Sequence, residues 1–215
     1  MSLLKEKIAA FDRQKAETVP QEILTTMERA TRELKESPLE GQALKTGERA
    51  PDFELPNHLG EKRQLQKYLD EAPVVLSFYR GGWCPYCNME LAALQEALPD
   101  IRRAGATLVA ISPETPDHSL STREKNDLAF DILFDEGNRV AERYGLVFEL
   151  ALELRPIYSG IGIDIPAHNG DDSYRIPMPA TYLINQAGEI RYDFVDADYT
   201  KRSEPTDIIE VLRRL

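Results

Sequence analysis

Apolar residues follow two spacings along this chain, and the switches between them mark its elements. Val74-Val75-Leu76-Ser77-Phe78-Tyr79 is an almost unbroken apolar run bounded by Pro73 and Gly81-Gly82, the pattern of a strand buried on both faces. At Cys84 the pattern turns helical. Leu91, Leu94, Leu98 and Ile101 share one face, and Gly105 stops it. Thr107–Ile111 is the next buried run. Strand, helix and strand in this order predict a right-handed parallel crossover.

Further along, the spacing predicts a helix over Ser119–Ala129, a short strand over Asp131–Phe134 and a helical turn over Val140–Tyr144 closed by Gly145. Residues 146–178 are less regular, with Gly160, Gly162, Pro166, Gly170 and Pro177, and read as a long loop that is functional or partly disordered. Ala180–Ile184 and Glu189–Phe194 flank Gln186-Ala187-Gly188, a hairpin signal, and Asp207–Leu215 after Pro205 is the closing helix.

Upstream, residues 1–45 are charged and helical. Leu4, Ile8 and Phe11 recur at helical spacing, as do Ile23, Met27, Ala30 and Leu34; Pro20 separates the two helices and Ser37-Pro38 ends the second. This stripe suits either the chain's own core or a homodimer contact. Residues 48–70 read as two short extended pieces around a turn. The expected organisation is an N-terminal helical extension over 1–45 and one α/β domain over 46–215.

Composition narrows the function classes. Hydrophobic residues make up 42% and charged residues 29% of the 215-residue chain, as in ordinary globular proteins. The net charge is −11, and no Lys/Arg cluster interleaves with aromatics, which argues against nucleic acid and anionic membranes as partners. No apolar stretch approaches the ~18–20 residues of a membrane span. Met1-Ser2-Leu3-Leu4-Lys5-Glu6-Lys7 is charged too early and too evenly for a signal peptide. The expected compartment is cytoplasmic, where a close cysteine pair is catalytic or metal-binding rather than structural.

The only two cysteines lie in Trp83-Cys84-Pro85-Tyr86-Cys87, at the predicted strand-to-helix switch. A sulfur on the first turn of a helix faces unpaired backbone N–H groups and the positive end of the dipole, which favour the reactive thiolate. Two sulfurs at this spacing can form and break a disulfide, most readily with Cys84 at a non-helical cap position. Zinc asks for four ligands, and His58, His118 and His168 are scattered, with His118 in a loop without a partner. The expectation is redox chemistry at Cys84 and Cys87 with an external thiol reductant and no cofactor or metal.

Strand, cysteine-bearing helix, strand, helix, strand, hairpin and final helix is the order of the thioredoxin fold, a mixed sheet flanked by helices. Phe78-Tyr79-Arg80-Gly81-Gly82-Trp83-Cys84-Pro85-Tyr86-Cys87 resembles the active-site turn of thioredoxin-like proteins. Met178-Pro179-Ala180-Thr181 resembles the segment that carries a cis-proline facing the disulfide. Pro51-Asp52-Phe53, Ala110-Ile111-Ser112-Pro113-Glu114, Phe134-Asp135-Glu136 and Ala141-Glu142-Arg143-Tyr144-Gly145 resemble the alkyl hydroperoxide reductase / thiol-specific antioxidant (AhpC/TSA) group, the peroxiredoxins, over roughly residues 45–195.

That resemblance implies a hydroperoxide substrate and a thioredoxin-like protein reductant. Its register places the family's peroxide-attacking cysteine on Cys87, its threonine on Cys84 and its proline on Arg80. The family's late arginine falls near Pro179 and has no counterpart there, so Arg80 is the candidate positive charge. Trp83 and Pro179 are expected to support the pair. Two further readings remain: protein disulfide exchange, in which Cys84 attacks first, and a non-enzymatic redox sensor coupled to residues 146–178.

Overall fold

The computed structural model describes residues 3–215. Three helices open the chain: α1 (Leu4–Thr18), α2 (Gln21–Glu36) and α3 (Leu39–Gln42). A small hairpin of β1 (Glu54–Pro56) and β2 (Lys62–Gln64) runs into α4 (Leu65–Glu71). The centre follows as β3 (Val74–Phe78), α5 (Pro85–Arg103), β4 (Thr107–Ser112), α6 (Pro116–Lys125), β5 (Asp131–Phe134) and α7 (Arg139–Arg143). Then come β6 (Val147–Glu149), α8 (Leu154–Gly160), α9 (Ile165–Asn169), β7 (Arg175–Pro177), β8 (Ala180–Ile184), β9 (Ile190–Val195) and α10 (Pro205–Leu212).

The central sheet has the order β5-β4-β3-β8-β9. β3 pairs in parallel with β4 and antiparallel with β8. This is the mixed sheet of a thioredoxin-like fold. All five residues of β3 are buried because each pleat faces a different core. Val75 joins Leu91, Leu94, Ile101 and Ile208 under α5 and α10. Val74, Leu76 and Phe78 join Phe53, Leu69, Tyr144 and Tyr182 on the other face. Burying a side chain of this size is worth about 1.5–3 kcal/mol, so a one-residue slip of β3 would be costly.

Residues 3–45 carry the two expected helices, broken at Pro20, and the short α3 after them. The Leu4 and Ile8 side chains enter the core beneath α5, so α1 packs on this chain's own domain. Glu204 accepts hydrogen bonds from the Leu4 and Lys5 backbone N–H groups at 3.1 and 2.7 Å, tying the start of α1 to the start of α10.

Three expectations change. Residues 146–178 are not a loop: β6 and β7 pair across it, and Leu150, Leu154, Tyr158, Ile165 and Ile176 form a third core against Ala30 of α2. Gly170, at φ +74, ends α9. The helix expected over Ser119–Ala129 instead begins at Pro116, whose ring suits a first helical position, and stops at Lys125 before Asp127 turns to φ +48. No peptide bond among the described residues is cis. The chain runs extended from β7 through Met178 and Pro179 into β8, and a trans bond keeps it extended.

Candidate active site

The cysteine loop leaves the C-terminal end of β3. Gly81 sits at φ +147, and a Cβ there would lie 2.3 Å from the Trp83 indole nitrogen. A Cβ on Gly82 would lie 2.0 Å from the Thr122 hydroxyl oxygen. The two glycines therefore let the loop fold back tightly onto α6. Asn88 donates to the Gly82 carbonyl at 2.7 Å and pins the loop to α5.

Cys84 is the N-cap of α5, with extended backbone at φ −88 and ψ 115, and Pro85 takes the first helical position. Both sulfurs are free thiols. Cys84 is 2% exposed and Cys87 0%.

Two guanidinium groups face this pair, one from the cysteine loop itself and one from near the end of the sequence. Arg80 is buried among aromatic rings, with its Cζ 5.0 Å from the Trp83 ring and 4.8 Å from the Tyr199 ring. Its Nη2 donates to the Tyr158 hydroxyl at 3.3 Å. Burial opposes the Arg80 charge, but Tyr158, Cys84 and Cys87 outweigh it, so the group stays cationic. Arg202 lies in the loop between β9 and α10. Its Nη2 donates to Cys87 Sγ at 3.5 Å, and its Nε pairs with Glu90 Oε2 at 2.6 Å. The Thr181 hydroxyl at the start of β8 donates to the other Glu90 oxygen at 3.3 Å.

The charges separate the two sulfurs. Burial alone raises the Cys84 thiol, but the hydrogen bond from Cys87 and the Arg80 and Arg202 charges overcome it and bring the group down to about 6. Cys87 moves the other way, because burial and the Cys84 sulfur beside it both favour its protonated form. The two directions are opposed: the surrounding charges favour a thiolate at Cys84, and burial beside it favours the thiol at Cys87. This order is opposite to the one the family register implies. Burial also pushes Glu90 up to about 7, against the pull of Arg202.

The sequence pointed to Arg80, Trp83, Cys84 and Cys87, which lie together. Pro179 precedes β8, and the pairing of Phe78 with Ala180 sets it opposite Tyr79 at the same sheet edge. Glu90 was missed although it left a trace, a carboxylate three residues after Cys87 among the apolar positions of α5. Arg202 and Tyr199 left none, since only the tertiary fold brings the β9–α10 loop to the cysteines.

The histidines are less scattered than their spacing suggests. His118 lies on α6 rather than in a loop, and its ring stacks on His168 at 4.1 Å. His168 Nδ1 lies 3.1 Å from the buried Glu114 carboxylate, which also accepts from Thr122 at 3.2 Å. Among the described residues no group of three or more His, Cys, Asp or Glu has the arrangement of a metal site.

Comparison with known proteins finds similar sequences and similar folds. The profile of the AhpC/TSA family matches residues 46–193. Peroxiredoxin Bcp of Escherichia coli strain K12 is 29% identical over 153 residues, covering 71% of this chain and 86% of that protein. The chloroplastic peroxiredoxin Q of Populus jackii is 31% identical over 104 residues, 48% of each chain. Among solved structures, peroxidoxin BcpB of Mycobacterium tuberculosis superposes with a TM-score of 0.63 at 22% identity, covering 80% of this chain and 98% of that one.

Proposed function

This chain belongs to the AhpC/TSA family, and from that premise we propose that it is a thiol-dependent peroxidase in which Cys84 attacks the hydroperoxide and Cys87 resolves the product. The observation that carries this reading is the pair of buried guanidiniums beside the cysteines: Arg80 and Arg202 favour the thiolate on Cys84, while burial and the neighbouring sulfur favour the thiol on Cys87.

The Cys84 thiolate attacks the terminal peroxide oxygen. The O–O bond breaks, its electron pair leaves with the alkoxide, and a solvent proton completes the alcohol. Arg80 stabilises the charge that develops on the departing oxygen. Cys84 is left as sulfenic acid. Cys87 then attacks the Cys84 sulfur, and the hydroxyl leaves as water with the Cys87 proton. Arg202, donating to Cys87 Sγ, stabilises that sulfur as its proton departs. A thioredoxin-like dithiol reduces the resulting disulfide and is itself oxidised. Trp83 and Pro179 act as supports of the loop and its sheet edge.

All four reacting and charged groups come from one chain, so the cycle needs no second copy. A reducing compartment, the cytosol, keeps such a dithiol ready for turnover. No helix among the described residues is long and apolar enough to cross a membrane.

Steady-state turnover tests the proposal. With thioredoxin and its reductase as donor, hydroperoxide-dependent NADPH consumption is expected, abolished by Cys84→Ser. Reduction of insulin disulfides at a good rate with no peroxide turnover would replace this reading with disulfide exchange.

A further inference from the structure

A cavity of about 310 Å³ lies between the α1–α2 hairpin and the body of the domain, and Cys84 is on its wall. Phe11, Ile23 and Met27 of the hairpin form one side, and Ile157, Ile161 and Ile163 at the end of α8 form the other. The volume equals roughly ten liquid-water volumes, enough for a medium-length hydrocarbon body.

Cys84 aside, the charged side chains on this wall are Lys15 and Arg80. Arg80 is engaged with the reacting sulfur. Lys15 is not engaged with an acid. Its Nζ lies 3.3 Å from the Tyr199 hydroxyl and 5.7 Å from the Tyr86 and Tyr199 ring centroids, and no carboxylate of the described residues lies within ion-pair distance. Asp12, one turn earlier, accepts from the Tyr86 hydroxyl at 2.5 Å. Lys15 and Arg80 lie 5.7 and 4.8 Å from the Tyr199 ring centroid, and all three residues line the cavity. The hairpin that supplies Lys15 lies outside the stretch matched by the family profile.

We propose that the α1–α2 hairpin gives this chain a binding site for hydroperoxides that carry both an apolar body and a carboxylate, with the body in the cavity and the carboxylate on Lys15. The site brings the O–O bond to Cys84, where it breaks as described above and leaves the corresponding hydroxy acid. The bond-breaking part rests on the peroxidase reading; the binding part does not.

Trp83 lines the cavity and is the only tryptophan of the chain, so its fluorescence reports occupancy. The reduced full-length protein is titrated with decanoate and with 1-decanol, which share a tail and differ in charge. Decanoate is expected to bind at least tenfold tighter. Lys15→Gln is expected to bring the two to parity, and Lys125→Gln, at the end of α6 and outside the cavity lining, to preserve the difference. The same Lys15 variant is expected to cut the rate ratio between a medium-chain hydroperoxy acid and its methyl ester by a similar factor. Equal binding of decanoate and decanol by the native chain, or equal weakening of both by Lys15→Gln, overturns the site. Fast oxidation by hydrogen peroxide without carboxylate discrimination sinks the site and leaves the peroxidase. Carboxylate discrimination without fast oxidation by any peroxide sinks the peroxidase and leaves the site.

Discussion

Arg202 and Glu90 form an ion pair of 2.6 Å with side chains 1% and 3% exposed, and the same guanidinium reaches the sulfur of Cys87. Removing either partner strands the other charge in a low-dielectric interior. Arg202→Leu is therefore expected to cost about 3–5 kcal/mol in denaturant unfolding. The double variant Arg202→Leu/Glu90→Leu is expected to recover most of that stability. It does not recover fast closure of the disulfide after a peroxide pulse, because Cys87 still lacks its donor. Full recovery of the closure rate in the double variant would assign Arg202 a structural role alone.

Glu90 also sets a pH dependence. Burial raises its folded-state value to about 7, above the ordinary carboxyl value. A raised acid means that the folded state binds the proton more tightly than the unfolded chain. Its contribution to stability is complete below the unfolded value, near pH 4.5, and is lost as pH rises through about 7. The full span is worth up to about 3 kcal/mol. Unfolding curves for the native chain and Glu90→Gln, compared between pH 4.5 and 8, should diverge over that window. Parallel curves would mean that Glu90 is ionised throughout.

Arg80 has no carboxylate partner among the described residues; the negative group it faces is the Cys84 thiolate. Replacing it by methionine moves Cys84 back toward the ordinary thiol value. The move is partial, because Arg202 and the hydrogen bonds from residue 87 remain, and at pH 7 the thiolate fraction falls by about twofold to tenfold. Alkylation of Cys87→Ser by iodoacetamide across pH 5–9 reads this directly, and Arg80→Met added to that background should shift the midpoint upward. An unmoved midpoint would assign the low value to Arg202, the hydrogen bonds from residue 87 and the helix terminus, and none of it to Arg80.

Cys84 is buried beneath the α1–α2 hairpin, so a protein reductant reaches the disulfide only when that cover moves. Within α2 only Ala30 is buried, and cavities flank the helix on the sides of Tyr199 and Phe148. By contrast α5 buries nine residues. Local opening is cheapest where fewest apolar contacts are lost. Hydrogen exchange should therefore be faster in α2 than in α5, and hairpin variants that speed it should speed reduction by thioredoxin. Equal protection in both helices would require another route to the disulfide.

The sequence carried the fold well where periodicity and local chemistry act together. The apolar run of β3, the switch to a helical period at Pro85 and the glycine after α5 fix the crossover that presents the cysteines. Between residues 146 and 178 the elements are three to seven residues long, too short for a period to emerge. The site was half legible. Cys84 and Cys87 declare themselves as the only thiols, and Arg80 by its place in the loop. Arg202, 115 residues after Cys87, owes its position to the β9–α10 turn and to its pairing with Glu90. The cis-proline expectation failed because resemblance transfers a residue and not its backbone geometry.

The order of attack is the centre of this account, and stopped-flow oxidation of the reduced protein by hydroperoxide tests it most directly. The native chain and Cys87→Ser should both react far faster than a free thiol, and Cys87→Ser should stop at a sulfenic acid on Cys84. Cys84→Ser should react no faster than free cysteine. Fast oxidation in Cys84→Ser with loss in Cys87→Ser would reverse the roles of the two sulfurs and contradict the charge arrangement on which the mechanism is built.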